Sequence, residues 1–465
     1  MKRIVPCMVA TVMALACGAA RASWTYDPSD GTLTDGVWTL HATLVKNTTD
    51  QLNVSGQKGS FNGTDPCPID LTEIYDSSNN RYYAVSFACF NSYSGAWNEK
   101  KKIGSMLNPY KDKLTQFIAP DCHTLSESGC FMNCTALTTV RLNETVTSFA
   151  GDTFKDCASL ESFYPRTLHV TSLPIRSFQG CSKLAGEFYL PDCTGNPGAL
   201  FNGCSKIESV KMPRLEVIAT STFNGCSSLT NVVFSESLHT IDIQAFSGCS
   251  SLPGDIIRQL LHPGLTRLGT KNIFSNCTSF DGELVWNFPA LTSTNVVGQS
   301  YFEGCTSLSK VTFKTSVLEI RGGAFLNIAP AAEMHMQAMV PTVGASSLGN
   351  GTGPFPRVYL KDNLEEWLTE LNRTYHVMRK ADFNNREWSD AVGSNIRTRA
   401  NLVSRMLEDP LMCSRDATTG DVSVRSKTVL AFCMQRKSGN NNVVPLLYCF
   451  WVLREPFTGT RIMVQ

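Results

Sequence analysis

The sequence has no excess of charge of either sign, since 41 Lys and Arg residues face 40 Asp and Glu residues. Proteins that coat nucleic acids, or that bind membranes through basic clusters, carry a large positive excess, so this balance argues against both classes. Hydrophobic residues make up 42% of the chain and charged residues only 17%. That composition also argues against a disordered protein. We therefore expect a folded chain with no nucleic-acid partner.

Long apolar runs are missing beyond the N-terminus. A membrane-spanning helix needs at least about 18 consecutive apolar residues. The longest candidate, residues 443–453, is interrupted by Pro445 and has the length of a strand. We predict no transmembrane segment in the mature chain.

The familiar catalytic and metal-binding motifs are also missing. None of the seven histidines lies in a His-Glu-x-x-His pattern, and no Gly-x-Ser-x-Gly turn or phosphate-binding loop is found. The glycine-rich stretch 349–353 has no following Lys-Ser/Thr, so we interpret it as a flexible loop. These absences predict a protein that is not an enzyme and holds no cofactor or metal. A Cys–His pair in the C-terminal region, such as Cys433 with His376, is the alternative.

The first 22 residues have the pattern of a secretory signal. Lys2 and Arg3 precede an apolar stretch over 4–16, and Ala20-Arg21-Ala22 forms a small-x-small cleavage site. We expect cleavage after Ala22 and a secreted, cell-surface or periplasmic protein. Lipidation at Cys17 is the alternative, although alanine stands where such signals usually have a large aliphatic residue.

A repeat fills the centre of the chain. Its signature is Phe-x-x-Cys-(Ser/Thr/Ala)-x-Leu, as in 246–252, and a ninth copy has Ile328 in the cysteine position. Successive cysteines are 22–24 residues apart, followed by two steps of 28 residues. The eight cysteines of the signature are Cys134, Cys157, Cys181, Cys204, Cys226, Cys249, Cys277 and Cys305.

Each repeat contains one strand-like segment after its cysteine. Residues 229–234 alternate apolar and polar positions, which is typical of a half-buried strand, and a second apolar patch follows at 238–241. One such unit cannot bury its apolar face alone, but stacked units can. The spacing therefore predicts a solenoid with a parallel sheet along one side, within the 20–29 residue period of leucine-rich repeats.

The segment 245–252, preceded by 238–241, resembles the repeats of the BspA-like (Treponema pallidum-type) leucine-rich repeat family. The resemblance covers about residues 114–376. It implies a curved solenoid in an exported bacterial protein and a role in adhesion or protein binding.

The flanks complete a predicted α+β repeat fold. After the signal peptide (1–22), residues 23–105 form a β-rich N-terminal cap with strands near 24–26, 37–40, 52–54 and 82–87. The solenoid spans 106–376 and ends in a capping helix near 361–371. Residues 377–465 form a C-terminal α+β module of unknown type, with strands near 422–424, 429–434, 443–453 and 461–464.

The signature cysteines admit two interpretations, a metal or redox array and a buried structural ladder. Zinc sites use close Cys-x-x-Cys pairs, which this chain lacks, and small thiols pack well in cores. The parallel Cβ directions of a ladder also disfavour disulfides between coils. We predict a ladder of buried free thiols. Disulfides are expected in the flanks, with Cys67–Cys89 and Cys433–Cys449 as candidate pairs.

The solvent face of the sheet is the candidate binding surface. In each strand the residue between the last two inward positions points outward. This column reads Arg141, Tyr164, Tyr189, Lys211, Val233, Ile257, Val285 and Thr312. A neighbouring column reads Thr139, Ser162, Glu187, Ser209, Asn231, Asp255, Glu283 and Lys310.

Tyrosine and arginine are frequent anchors of interfaces, so the first five residues of the first column are the candidate site for a protein or glycan at a cell surface. The simpler alternative is a solvated face with no ligand. Two further functions stay open: a structural or anchoring protein whose solenoid is a spacer, and an enzyme with its site in the C-terminal module. The oligomeric state is left open.

Overall fold

The computed structural model describes most of the N-terminal cap and the solenoid, with shorter segments beyond. The described residues are 23–45, 47–76, 78–85, 88–89, 107–125, 127–195, 198–291, 295–329, 332–336, 357–360, 413–415, 422–424, 428–436 and 444–454. The predicted signal peptide, the glycine-rich stretch 349–353 and the predicted capping helix lie outside them. Among the described residues, no helix has the length and apolar composition needed to cross a bilayer.

The N-terminal region forms a closed barrel of six strands. Its apolar residues alternate along the strands, which places Trp38 in the core at 4.4 Å from the ring centroid of Phe61. Asp35 Oδ1 accepts hydrogen bonds from the backbone N–H groups of Val37 and Trp38 and so holds the turn before β3. The strands in this region are β1 (Trp24–Asp27), β2 (Thr32–Thr34), β3 (Trp38–Leu44), β4 (Gln51–Phe61), β5 (Cys67–Asp70), β6 (Ile74–Asp76), β7 (Arg81–Val85) and β8 (Ala88–Cys89), and the barrel order is β1-β2-β3-β4-β7-β6.

A 3-10 helix at Asn108–Tyr110 precedes the solenoid, which consists of short parallel strands and one helix, α1 (Gly254–Leu260). The strands are β9 (Leu114–Ile118), β10 (Thr124–Leu125), β11 (Thr139–Arg141), β12 (Ser148–Phe149), β13 (Ser162–Tyr164), β14 (Gly186–Tyr189), β15 (Ile207–Lys211), β16 (Val217–Ile218), β17 (Asn231–Val233), β18 (Thr240–Ile241), β19 (Arg267–Leu268), β20 (Gly282–Trp286), β21 (Val296–Val297), β22 (Leu308–Phe313), β23 (Glu319–Ile320), β24 (Glu333–Met336) and β25 (Arg357–Leu360). The predicted parallel solenoid is confirmed.

Two rows of parallel strands run along the solenoid. The main sheet consists of three segments, in the orders β5-β9-β11-β13, β14-β15-β17 and β20-β22-β24-β25, the last of which continues into two strands of the C-terminal region. The second row includes β8-β10-β12, β16-β18-β19 and β21-β23. Because β5 and β8 belong to these rows, the N-terminal region covers the first coil, as the sequence predicts.

The helix α1 interrupts the main sheet in the first 28-residue coil. The additional residues give this coil room for two helical turns, and its apolar positions 256, 257, 260 and 261 have helical spacing. Ile257 is fully buried in α1, and Asp255 lies in its first turn. The placement of these two residues on the sheet face was therefore wrong.

The core of every coil contains the signature phenylalanine. Neighbouring rings stack with centroids 5.3–6.0 Å apart and planes within 2–18° of each other. The stacked rings are Phe131, Phe154, Phe178, Phe201, Phe223, Phe246, Phe274, Phe302 and Phe325. This continuous stack buries one large aromatic side chain in each coil. Burial of such a side chain stabilises the folded state by roughly 1.5–3 kcal/mol relative to leaving it exposed to water.

Two residues of each coil take a left-handed backbone conformation, two positions before and two positions after this phenylalanine. In the coil around Phe246 they are Gln244 (φ 55°) and Gly248 (φ 76°). The second position holds only Gly, Asn or Asp in these nine coils, the residues that tolerate positive φ best. The first position also holds Arg176, Ala199 and Ser221, which the sequence pattern does not single out.

The described residues of the C-terminal region form four strands, which are β26 (Cys413–Arg415), β27 (Val422–Val424), β28 (Thr428–Arg436) and β29 (Val444–Arg454). β26 and β27 pair with each other in a separate sheet, whereas β28 and β29 extend the main sheet. β29 pairs in parallel with β25 and antiparallel with β28, so this hairpin covers the edge of the last solenoid strand. The predicted strands at 422–424, 429–434 and 443–453 are confirmed. The predicted strand at 461–464 lies outside the described residues, and the boundary at residue 377 stays a prediction.

Candidate binding face of the main sheet

The candidate binding face consists of Arg141, Tyr164, Tyr189, Lys211 and Val233. Alternation along the short strands directs these side chains to solvent, because each follows a buried residue such as Phe163 or Phe188. Tyr164, Tyr189 and Val233 are 38%, 39% and 40% exposed, which is high for large apolar side chains.

The strand register brings these residues together in two groups. Arg141 pairs with Tyr164 across β11 and β13. Lys211 lies between Tyr189 and Val233 across β14, β15 and β17. Tyr189 is not paired with Tyr164, since its bridge partner in the preceding coil is Thr167. The predicted column therefore exists as two adjacent groups.

Tyr164 is held between a cation and a carboxylate. Its hydroxyl donates a hydrogen bond to Glu144 Oε1 at 2.5 Å, and Arg141 Cζ lies 5.4 Å from its ring centroid. The hydrogen bond to Glu144 raises the pKa of the Tyr164 hydroxyl. The ring is therefore a neutral and oriented aromatic surface.

Lys211 forms an ion pair with Glu187 of the neighbouring strand, at 2.7 Å between Nζ and Oε1. The hydrogen bond from Lys211 lowers the pKa of the Glu187 carboxyl. Since both side chains are substantially exposed, this pair adds little stability and can exchange with charged groups of a ligand.

The predicted columns do not continue unchanged beyond α1. Thr312 is buried and donates a hydrogen bond to Glu283, and Val285 is half-buried. Ser209 of the second column is buried as well. Glu283 also pairs with Lys310 at 3.4 Å. At this end of the sheet the charged side chains are paired with one another. We therefore end the binding face at Val233.

Arg166 is a residue that the strand pattern missed. Its guanidinium Cζ lies 4.8 Å from the ring centroid of the buried Phe188, and Nη1 is buried without a hydrogen-bond partner. Burial lowers the pKa of this guanidinium. The only sequence signal is the 24-residue step of this coil, one residue longer than its neighbours on either side.

The signature thiols form the predicted ladder. From the second coil onward each Sγ donates a hydrogen bond of 3.0–3.2 Å to the phenylalanine carbonyl oxygen of the preceding coil. All eight thiols are buried, and desolvation raises their pKa values, to about 12 for Cys134 and Cys305. In the described part of the chain, no group of three or more His, Cys, Asp or Glu side chains is arranged to hold a metal ion.

The two predicted disulfides have different outcomes from the thiol ladder and from each other. The thiol of Cys67 is free, so the expected Cys67–Cys89 bridge was wrong. Cys67 belongs to β5 and is only partly buried against the barrel core. In the C-terminal hairpin, Cys433 is opposite Tyr448 and Cys449 is opposite Phe432, and their pairing stays a prediction.

Comparison with known families decides what kind of repeat this is. The profile of the BspA type leucine-rich repeat region matches residues 101–213, 196–327 and 270–366, with six copies of the repeat. The chain belongs to the BspA-type leucine-rich repeat family. The resemblance drawn from the repeat signature is confirmed, and the match covers more than half of the BspA-type chain.

The solved structures that this chain is similar to include several proteins from bacteria. A leucine-rich cell surface protein from Faecalibacterium prausnitzii is 17% identical with a TM-score of 0.37, covering 69% of this chain and 79% of its own. A leucine-rich repeat protein from Bacteroides ovatus is 18% identical with a TM-score of 0.36, covering 71% and 95%. The pneumococcal vaccine antigen PcpA is 12% identical with a TM-score of 0.29, covering 74% and 96%. The search of curated proteins found no match.

Proposed function

We propose that this BspA-type protein is exported and binds a protein or glycan at a cell surface, without catalysis, through its binding face. The observation that carries the proposal is the exposure of Tyr164, Tyr189 and Val233 on neighbouring coils beside Arg141 and Lys211. Aromatic and arginine side chains supply much of the binding energy of protein interfaces. A rigid sheet holds them in place at little cost in conformational entropy.

The side chains of the binding face are better suited to binding a ligand than to catalysing a reaction. The face carries tyrosine, valine and two cations, and the contact between Tyr164 and the Glu144 carboxylate holds the tyrosine neutral. The ladder thiols are buried beneath the surface with raised pKa values, so they are poor nucleophiles. These features support binding as the function.

Export is the second part of the proposal. The signal-like pattern of residues 1–22 supports it, and N-terminal sequencing of protein from the culture supernatant, the periplasm and the cell envelope tests it. We expect a mature chain that begins at Ser23. A chain that keeps Met1 and stays in the cytoplasm would refute export.

The binding test compares two triple-alanine variants of the full chain. One replaces Tyr164, Tyr189 and Lys211 on the binding face. The control replaces Met132, Val217 and Leu318, which are also exposed but lie outside the candidate face. Both variants should keep the circular dichroism of the parent protein.

In pull-downs from host and bacterial surface extracts, we expect the binding-face variant to lose the ligand that the parent and the control retain. Equal capture by all three proteins would refute the proposal. In that case a spacer role for the solenoid, with attachment through the C-terminal region, would take its place.

A further inference from the structure

The sheet segment β14-β15-β17 presents six side chains in two columns on its solvent side. Residues of one column are opposite one another across the strands, and the second column lies two residues earlier in each strand. Alternate residues of a strand point to the same side of a sheet, so the two columns are neighbours. The six residues, which we call the β14-β17 patch, are Tyr189, Lys211 and Val233 in the first column and Glu187, Ser209 and Asn231 in the second.

Hydrogen bonds join the polar members of the patch across all three strands. Lys211 Nζ donates to Glu187 Oε1 at 2.7 Å, and Asn231 Nδ2 donates to Ser209 Oγ at 3.2 Å. The Lys211 ammonium, and to a smaller extent the Ser209 hydroxyl, lower the pKa of the Glu187 carboxyl, which is therefore ionised at neutral pH. Because Ser209 is buried, it fixes the amide of Asn231 and leaves the Oδ1 atom of this amide directed away from the contact.

The patch keeps hydrogen-bonding capacity for a ligand. The exposed ammonium and carboxylate of Lys211 and Glu187 have more donors and lone pairs than their mutual contact uses. The Tyr189 hydroxyl makes no hydrogen bond within the described residues, whereas the Tyr164 hydroxyl donates to Glu144. Donors and acceptors for a ligand therefore lie close together, next to the exposed side chain of Tyr189.

The two charges of the patch cancel each other. A charged ligand group that displaced Lys211 or Glu187 from the ion pair would leave the other partner without a counter-charge, so it would gain little. A hydroxyl group can instead accept a hydrogen bond from the ammonium and donate one to the carboxylate while the pair persists. The charge distribution therefore favours a ligand that is neutral and rich in hydroxyl groups.

We propose that the β14-β17 patch binds a neutral hexopyranose of a glycan. Tyr189 packs on the sugar ring, and Glu187, Lys211 and Asn231 hydrogen-bond its hydroxyls. This inference rests on the proposed binding function and names the ligand class of the same face. A sugar with equatorial hydroxyls has faces of C–H groups that pack on an aromatic ring, and an edge of hydroxyls that donate and accept. Val233, on the other side of Lys211, offers a second apolar contact.

A folded protein is the less suitable ligand of this patch. The centre of a protein interface is apolar and poor in charged residues, which lie mostly at the rim. The patch has the reverse order, since Lys211 lies between Tyr189 and Val233 in the strand register and is paired with Glu187. A sugar ring needs only one aromatic contact beside such polar groups.

The experiment is isothermal titration calorimetry of the full chain with cellotetraose, a neutral β-1,4-linked tetramer of glucose. The charged counterparts are the β-1,4-linked tetramers of glucosamine, which is cationic, and of glucuronate, which is anionic. We expect cellotetraose to bind at least about fivefold more tightly than either charged tetramer. Equal or tighter binding of a charged tetramer, or no binding of cellotetraose, would overturn the inference.

Two variants test the residues of the patch, and a third serves as the matched control. Tyr189→Ala removes the stacking surface and Glu187→Gln removes the charged acceptor, so each should weaken cellotetraose binding about tenfold. The control Glu161→Gln changes an exposed carboxylate that is paired with Lys183 outside the patch, and it should change binding less than about twofold. Equal losses in Glu187→Gln and Glu161→Gln would contradict a contact between Glu187 and the sugar.

Pull-downs with the binding-face variant distinguish failure of the ligand class from failure of the proposed function. If cellotetraose does not bind the parent protein but the variant still loses its surface ligand, the face binds a different ligand and only the sugar is wrong. If the variant also retains its surface ligand, the proposed function is wrong as well.

Discussion

The thiol of Cys249 donates a hydrogen bond to the carbonyl oxygen of Phe223 in the preceding coil, with 3.1 Å between Sγ and O. The same contact recurs from Cys157 to Cys305, so each signature residue has a structural role towards its neighbour. The cysteine fills a small buried space and donates a second hydrogen bond to a carbonyl group that already accepts one from the backbone N–H of Cys226. Each repeat therefore adds one thiol hydrogen bond and one stacked aromatic ring to the solenoid.

The first prediction concerns thiol reactivity. The thiolate is the reactive form of cysteine, and burial raises the pKa of Cys134 and Cys305 to about 12. At pH 8 we expect the ladder cysteines to resist a thiol reagent in the native protein and to react after denaturation. The half-buried Cys67 should react first, and Cys67→Ser is the control that removes this early signal. If denaturation exposed no additional thiols, a ladder of free cysteines would be excluded.

The second prediction concerns one member of the ladder. Cys249→Ala removes the sulfur and its hydrogen bond and leaves a small cavity between fully buried neighbours. We expect a loss of about 1–2 kcal/mol in the free energy of unfolding, measured by urea denaturation. Ser251→Ala, on the surface of the same coil, should stay within about 0.5 kcal/mol of the parent. Equal effects of both substitutions would contradict a stabilising role for the thiol.

The third prediction concerns the left-handed positions of the coils. Gly248 has φ +76°, and an added Cβ would lie 3.4 Å from Gly225 Cα of the preceding coil. Gly248→Ala should therefore destabilise the chain by about 1–2 kcal/mol. Ala199 has φ +49° and already bears this strain, so Ala199→Gly should be neutral or raise stability by up to about 1 kcal/mol. The free energy of unfolding of both variants is measured in urea. If Ala199→Gly destabilised the chain as much as Gly248→Ala, backbone strain would not explain the preference for glycine.

The fourth prediction is a pH dependence of the N-terminal barrel. The buried Asp76 carboxylate accepts hydrogen bonds from Asn79 Nδ2 at 2.7 Å and from the backbone N–H of Ser78 at 2.9 Å. The hydrogen bond from Asn79 is the largest cause of its lowered pKa.

A carboxyl with a lowered folded-state pKa stabilises the protein above its unfolded pKa of about 3.9, and this contribution is lost as the pH falls through the folded value. The unfolding midpoint of the barrel, followed by Trp24 and Trp38 fluorescence, should fall between pH 5 and pH 2.5. Asp76→Asn should reduce this dependence. An unchanged pH profile in the variant would contradict a role for Asp76.

The repeat signature predicts the solenoid because each coil buries the same residues through local contacts. The signature residues Phe246, Cys249 and Leu252 are close in sequence, and their stacking partners are one period away. Closure of the barrel cannot be predicted from a local pattern, because β1 pairs in parallel with β6, about 50 residues later in the chain. The register that brings Trp24 beside Ile74 depends on packing over that distance.

The site was partly predictable for the same reason. Alternation identifies Tyr164 and Lys211 as outward-facing, but it assumes a strand in every coil. Where a coil has additional residues, the chain can form α1, and Ile257 turns into the core. The alternation pattern does not identify Arg166 because this residue lies outside a strand. Only the structure shows that its guanidinium packs on the buried ring of Phe188.

Hydroxyl-radical footprinting tests the central claim most directly, because it compares side-chain accessibility in the free protein and in the protein bound to its captured surface ligand. Tyr164 and Tyr189 should be protected by the ligand, while Tyr82 on the barrel, 62% exposed in the free chain, should stay fully reactive. Protection of Tyr82 alone, or unchanged oxidation of Tyr164 and Tyr189 in the complex, would contradict binding through the sheet face.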